Sequence, residues 1–313
     1  MKQFSKIFLW FLSCMLACYV QADVLQCHLS DRWYPSRGKA LRRKMTELQL
    51  QAKKRYKNNF DVKKIKAILV PHAALNYSGT LASAVYQNLK PKTFDRVIIL
   101  APSHHVHFQG VALPGIEYTA YKSPLRQIQI DQTVLKTMTK ISSLFDFNHH
   151  AHELEHSIEI QIPLIQKYCG FCKIVPLLVG DLNFSQVQQV ADVIHQCMDK
   201  KTLIIVSSDL THYGKMFNYT PFDHNVLENI FKLDQSLIDA ILQVRPQEFA
   251  KIVRMTGDPI CGKNSILILL SMIQKKYLGD VQLVTVGYDT SSQMAEVQNC
   301  VSYVGMMVTQ EKK

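Results

Sequence analysis

Two runs of isoleucine, leucine and valine, Ala67-Ile68-Leu69-Val70 and Val97-Ile98-Ile99-Leu100-Ala101, each close on a proline with histidine just beyond, as Pro71-His72 and as Pro102-Ser103-His104-His105. A strand that is apolar on both faces is covered from both sides, which makes it a central strand of a parallel sheet. In open α/β sheets the crevice beyond the carboxyl ends of such strands is where ligands bind. Both runs therefore carry imidazoles to a binding edge. A third run, Leu203 to Val206, continues into Ser207-Ser208-Asp209-Leu210-Thr211-His212, so a carboxylate and another imidazole follow one more strand end.

The remaining pattern alternates in the same way. Strands are expected at 67–70, 96–101, 173–179 and 202–206, with a final pair near 282–288 and 302–308. Helices are expected at 41–57, 79–89, 134–141, 185–198, 225–244 and 262–276. The segment His156 to Tyr168 mixes strand-like and helix-like spacing and is read as one helix despite Pro163. At 313 residues and 47% hydrophobic, the chain can bury a large core, which excludes a fibrous or disordered class. No linker rich in Gly, Pro or Ser divides it. The fold class is α/β: a single domain over residues 23–313, with a mostly parallel sheet and helices on both faces.

The first 22 residues differ in kind. Lys2 and Lys6 precede an uncharged apolar run from Ile7 to Val20, and Val20-Gln21-Ala22 offers small residues at a cleavage site before Asp23. The run is shorter than the roughly 20 apolar residues that span a bilayer. It reads as a signal peptide; a lipoprotein site at Cys18 is a weaker match. The expectation is a protein exported to the periplasm or beyond, with no membrane span after cleavage. Formal charge is +11, and loss of Lys2 and Lys6 leaves +9. An exported chain seldom meets nucleic acid, so this surplus is read as a solvated face and no nucleic-acid partner is expected.

Six cysteines remain after residue 22: Cys27, Cys169, Cys172, Cys197, Cys261 and Cys300. An oxidising compartment permits pairing whose connectivity the sequence does not give. Cys169-Gly170-Phe171-Cys172 has redox-motif spacing but precedes a strand, whereas that motif follows a strand and opens a helix, so a structural pair or free thiols are expected. The clustered His149, His150 and His152 read as a solvated loop. Ser207 and Ser208 lie outside any Gly-x-Ser-x-Gly elbow, which excludes that serine-hydrolase class.

Two further segments bear chemistry: Glu155-His156-Ser157-Ile158-Glu159, and Ile260-Cys261-Gly262, which opens an apolar helix. A thiolate near a helix N-terminus is stabilised by the dipole. In order, Pro71-His72-Ala73 with Tyr77-Ser78-Gly79, Pro102-Ser103-His104-His105, Glu155-to-Glu159, Ser207-Ser208-Asp209 with His212-Tyr213-Gly214, and Ile260-Cys261-Gly262 resemble the Memo family. Its bacterial relatives are called AmmeMemoRadiSam system protein B. The similarity runs from about Trp33 to about Val308.

The resemblance implies a fold like that of the class III non-haem iron extradiol dioxygenases. It also implies metal ligands at His72, His104 and Cys261, with His212 in the same pocket as an acid/base group. Two imidazoles and a thiolate suit copper or iron, with zinc as a third option, and three protein ligands leave a position open. Asp209 or Glu155 is expected to fix the tautomer of His212 or to support a ligand, and His105 and His156 are candidate pocket residues. The family's glycine after Pro-His-Ala is Ala74 here. The expected function is a copper- or iron-dependent redox enzyme acting on an unidentified small molecule or peptide. Zinc would instead favour hydrolysis with His212 as base. The alternatives are a non-enzymatic copper-binding protein and a protein- or peptide-interaction module.

Overall fold

The computed structural model describes residues 23–56, 64–292 and 298–311. The expected signal peptide lies outside them. The chain begins β1 (Asp23–Leu25), α1 (Gly38–Arg55), β2 (Ile65–Val70), α2 (Gly79–Tyr86) and β3 (Arg96–Pro102). Short elements follow: β4 (Val111–Leu113), β5 (Tyr118–Lys122), β6 (Gln127–Gln129), α3 (Gln132–Ile141), β7 (Phe145–Phe147), α4 (His149–Glu153), α5 (His156–Glu159) and α6 (Gln161–Tyr168). The second half contains β8 (Lys173–Val179), α7 (Phe184–Gln196), β9 (Thr202–Ser207), β10 (His212–Gly214), α8 (Val226–Leu242), α9 (Pro246–Thr256) and α10 (Lys263–Gln274). It ends with β11 (Val281–Thr290) and β12 (Asn299–Gln310).

The architecture is a single α/β domain built on one large sheet. Its order is β10-β12-β2-β9-β3-β8-β4-β7, with β11 paired to β12. The centre, β2-β9-β3-β8, is wholly parallel. Antiparallel strands flank it: β12 and β11 on one side, β4 on the other. The apolar runs became central strands because both faces are covered. Helix α2 lies over the β2/β12 half with α1 packed on it, and α7 and α10 pack together, α10 reaching β3 and β9. Ile98, Ile99, Ile204 and Ile205 are fully buried at the middle of this sandwich. Truncating any of them to alanine costs about 2–5 kcal/mol.

Several local expectations change. The segment from His156 to Tyr168 is two helices meeting at Ile160. Pro163 falls in the first turn of α6, where its missing N–H breaks no helical bond. Helix α9 is not among the expected helices, although Pro246 at its first turn and Gly257 after its end, at φ +66°, are start and stop signals. The histidine cluster forms α4 rather than a solvated loop. His152 is buried against the Ala112 carbonyl at 2.9 Å, and burial pushes its pKa down to about 4. All six cysteines of the described residues are free thiols. Among the described residues no helix is long and apolar enough to cross a membrane.

Candidate metal centre

Parallel pairing sets Val70 level with Ser207, and Leu100 level with Val206. The residues leaving β2, β9 and β3 therefore meet at one edge. His72 leaves β2 and is 1% exposed. Its backbone N–H donates to Asp209 Oδ1, which leaves β9, at 2.9 Å. Its ring Nδ1 lies 3.1 Å from Ser207 Oγ.

Ser207 Oγ donates its one proton to the Ser157 carbonyl at 2.7 Å and accepts from Gln161 Nε2 at 2.9 Å. It has no proton left for His72, so His72 Nδ1–H is the donor and Nε2 is the nitrogen turned toward the thiol. Nε2 lies 3.3 Å from Cys261 Sγ.

His104, leaving β3, is oriented by a carboxylate instead. Glu155 accepts from the His104 backbone N–H at 2.6 Å and pairs with its Nδ1 at 2.9 Å. Burial alone would raise the Glu155 pKa, but the hydrogen bonds and charge of His104 hold it well below the carboxylate range. With Nδ1 occupied, Nε2 is the nitrogen of His104 left to face the thiol.

Cys261 reaches the site through backbone packing at the head of α10. Gly262 N–H donates to Ser208 Oγ at 3.1 Å. A Cβ on Gly262 would lie 2.4 Å from the Ser208 side chain, so only glycine allows this approach. Burial opposes ionisation of Cys261, yet His72 and His104 outweigh it and lower the thiol pKa to about 6. Reciprocally, burial works against charge on His104, but its contacts with Cys261 and Glu155 raise its pKa to about 10. The two form an imidazolium–thiolate pair, and a cation entering between them displaces the shared proton.

Donor atoms of His72, His104 and Cys261 all lie within 4.8 Å of one another. A tetrahedral ion with bonds of about 2.0 Å to nitrogen and 2.3 Å to sulfur separates these donors by roughly 3.5 Å. The 3.3 Å between His72 Nε2 and Cys261 Sγ matches that edge. The donor set fits a borderline-to-soft cation.

The other candidates are distributed around this trio. His156 packs between Trp33 and His104 with its ring tilted to both, the ring centroids at 4.6 and 4.1 Å. Burial and the neighbouring imidazoles lower its pKa to about 2, so it stays neutral. His104, Glu155 and His156 also cluster, but Glu155 is already committed to hydrogen bonds there. His105 is exposed, its ring 6.2 Å from that of His156, and belongs to neither cluster. His212 Nδ1 bonds the Leu210 carbonyl at 2.8 Å. That carbonyl, rather than Asp209 or Glu155, sets its tautomer, because Asp209 is turned toward the His72 and Ala73 amides. Burial lowers the His212 pKa despite the opposing charge of Asp209. Ala74 is not among the positive-φ residues, so this turn does not require glycine.

Ser207 and Gln161 orient His72 and were not among the candidate residues. The available signal was polarity out of place: Gln161 is fully buried between Ile160 and Ile162.

A protein-family profile described as Memo-like protein matches residues 27–307. The human protein named MEMO1 is 30% identical over 291 residues, covering 88% of this chain and 94% of its own length. The Caenorhabditis elegans protein memo-1 homolog is 31% identical over 245 residues, covering 76% of this chain and 68% of its own length. The Danio rerio protein MEMO1 is 33% identical over 238 residues, with coverages of 73% and 80%. A solved structure of an uncharacterized Escherichia coli K12 protein aligns with a TM-score of 0.47 at 12% identity, covering 76% of this chain and 99% of that one.

Proposed function

This chain belongs to the Memo family, and on that premise we propose that it is a metal-dependent redox enzyme, with iron or copper held by His72, His104 and Cys261. The observation that carries the proposal is the convergence of their donor atoms within 4.8 Å, with the outer nitrogen of each imidazole tied to Ser207 or Glu155. Such outer hydrogen bonds fix ring orientation and tautomer in metal sites. When bound, iron or copper supplies the one-electron and dioxygen chemistry that side chains lack.

The protein's own part is binding and proton handling. His72 and His104 present neutral donors, and Cys261 brings the negative charge that favours a cation. Three protein donors leave room for a substrate atom. His212 keeps Nδ1–H on the Leu210 carbonyl, so its Nε2 is the basic nitrogen. It takes a proton from the substrate and later returns it. Asp209 holds the backbone of His72, which makes it a positioning residue. We further propose that residues 1–22 direct export and that the mature chain starts near Asp23.

The test is metal content by mass spectrometry on protein from its own compartment, beside His72→Ala, Cys261→Ser and His212→Ala. Stoichiometric iron or copper is expected, lost in the first two variants and retained in His212→Ala, which loses oxygen consumption. Folded, metal-free wild-type protein would overturn the metal reading. Unchanged oxygen consumption in His212→Ala would overturn the acid/base role, and metal-loaded wild-type protein that consumes no oxygen would leave a metal carrier.

A further inference from the structure

A cavity of about 160 Å³ opens beside Cys261, between the loop after β3, the turn after β8 and the first turn of α10. Its α10 wall is formed by Lys263, Asn264 and Ser265. Helix α10 has twelve residues, and Gly262 at its cap supplies no side-chain hydrogen bond. The Gly262 amide is taken by Ser208, and Ile266 is the first to reach back along the helix, to the Gly262 carbonyl at 3.0 Å. The amides of Lys263, Asn264 and Ser265 between them have no carbonyl one turn earlier to bond.

The side chains of this turn divide the work. Asn264 Nδ2 donates to the Gly180 carbonyl at 2.8 Å and ties the turn to the opposite wall. Ser265 is 1% exposed, and its buried hydroxyl has no hydrogen-bond partner. Buried polar groups are nearly always paired, so this orphan on a cavity wall marks a place for a ligand atom. Lys263 is exposed and adds positive charge, while exposed Asp181 and His107 also line the cavity.

We propose that this cavity is an anion subsite, which takes a single carboxylate or phosphate group of a small substrate on the Lys263–Ser265 amides and the Ser265 hydroxyl. Helix N-termini bind anions through these same free amides and the positive end of the dipole. Asp181 repels a negative group from its side of the cavity and leaves α10 as the end that accepts one. The rest of the ligand extends toward Cys261, which lines the same cavity. The assignment of a substrate class rests on the redox reading above, whereas anion binding itself requires no metal.

The experiment is an amide NMR titration of metal-free protein at constant ionic strength. Acetate and inorganic phosphate are the probes, and acetamide is the neutral control. Saturable shifts at Lys263, Asn264 and Ser265 are expected with at least one anion and not with acetamide. Acetate alone indicates a carboxylate substrate, and phosphate alone a phosphorylated one. Ser265→Ala should weaken binding about tenfold, the size of one lost hydrogen bond to a charged group. Lys263→Gln, at an exposed position that cannot unfold the core, should weaken it about threefold. Absence of saturable shifts, equal shifts with acetamide, or wild-type affinity in both variants would overturn the proposal. His72→Ala should bind the anion normally, so loss of the metal reading and loss of this one are separately visible.

Discussion

Cys169 ends α6, fully buried against core side chains, and burial drives its thiol pKa upward. Three residues on, Cys172 is pushed up to about 11 by burial, against a weaker pull from Arg126. Cys261 precedes α10 and is pulled to about 6 by two imidazoles that overcome its burial. The same functional group thus sits at a helix C-terminus in one place and at an N-terminus in the other. The dipole disfavours a thiolate in the first setting and favours it in the second. Redox-motif spacing at residues 169–172 gives two free thiols, whereas neighbouring donors and helix polarity put the reactive thiol at Cys261.

The contrast can be broken most directly with metal. Cys261→Ser is expected to abolish metal retention and Cys169→Ser to leave it unchanged, read as metal per chain after dialysis; equal retention in both would remove the distinction. Thiol chemistry sharpens it next. At pH 7 the thiolate fractions of Cys261 and Cys172 differ by about 10⁴, and lower intrinsic nucleophilicity returns roughly half of the logarithm. Iodoacetamide should therefore label Cys261 in metal-free protein about 100-fold faster than Cys172 by peptide mass spectrometry. Since it is the thiolate that reacts, the Cys261 rate should hold above its pKa and fall as pH drops through about 6. A rate that rises only above pH 8 would mean an ordinary thiol.

Glu155→Gln tests whether orientation from behind the ligands matters. Metal affinity should weaken about 10–100-fold as the charge holding His104 is lost, and competition with a chelator would measure it. The smallest effects belong to Cys169 and Cys172, the two free thiols at the end of α6. Cys169→Ser should cost about 1–3 kcal/mol, because a hydroxyl enters an apolar site. Cys172→Ser, partly buried, should cost less than Cys169→Ser, both read by denaturant unfolding.

Legibility followed burial. The central strands were readable because runs such as Val97–Ala101 satisfy both faces of a covered sheet and little else. Short strands such as β4 and β7 were not, since three residues carry no period and are held by pairing with β8 and with each other. His152 misled because its neighbours are polar, whereas its ring is buried on the Ala112 carbonyl, a partner 40 residues away. Of the candidate site, His72, His104, His212 and Cys261 were nameable from motif order. The roles of Ser207 and Gln161 were not, because a hydroxyl or amide acquires its task only from the partner it meets.

The sequence by itself determined which segments must be buried and which chemical groups stand at their ends, because apolar periodicity and residue type are local properties. Tertiary structure decided which ends meet. The order β2-β9-β3 sets Val70 beside Ser207, and the Gly262–Ser208 contact brings Cys261 to His72, 189 residues away in the chain. It also set the hydrogen-bond partners of the His72 and His212 rings, left the buried Ser265 hydroxyl without a partner, and separated Cys261 from the other thiols. Hydrogen bonds and charge act over a few ångströms, and only the folded chain determines which groups come that close.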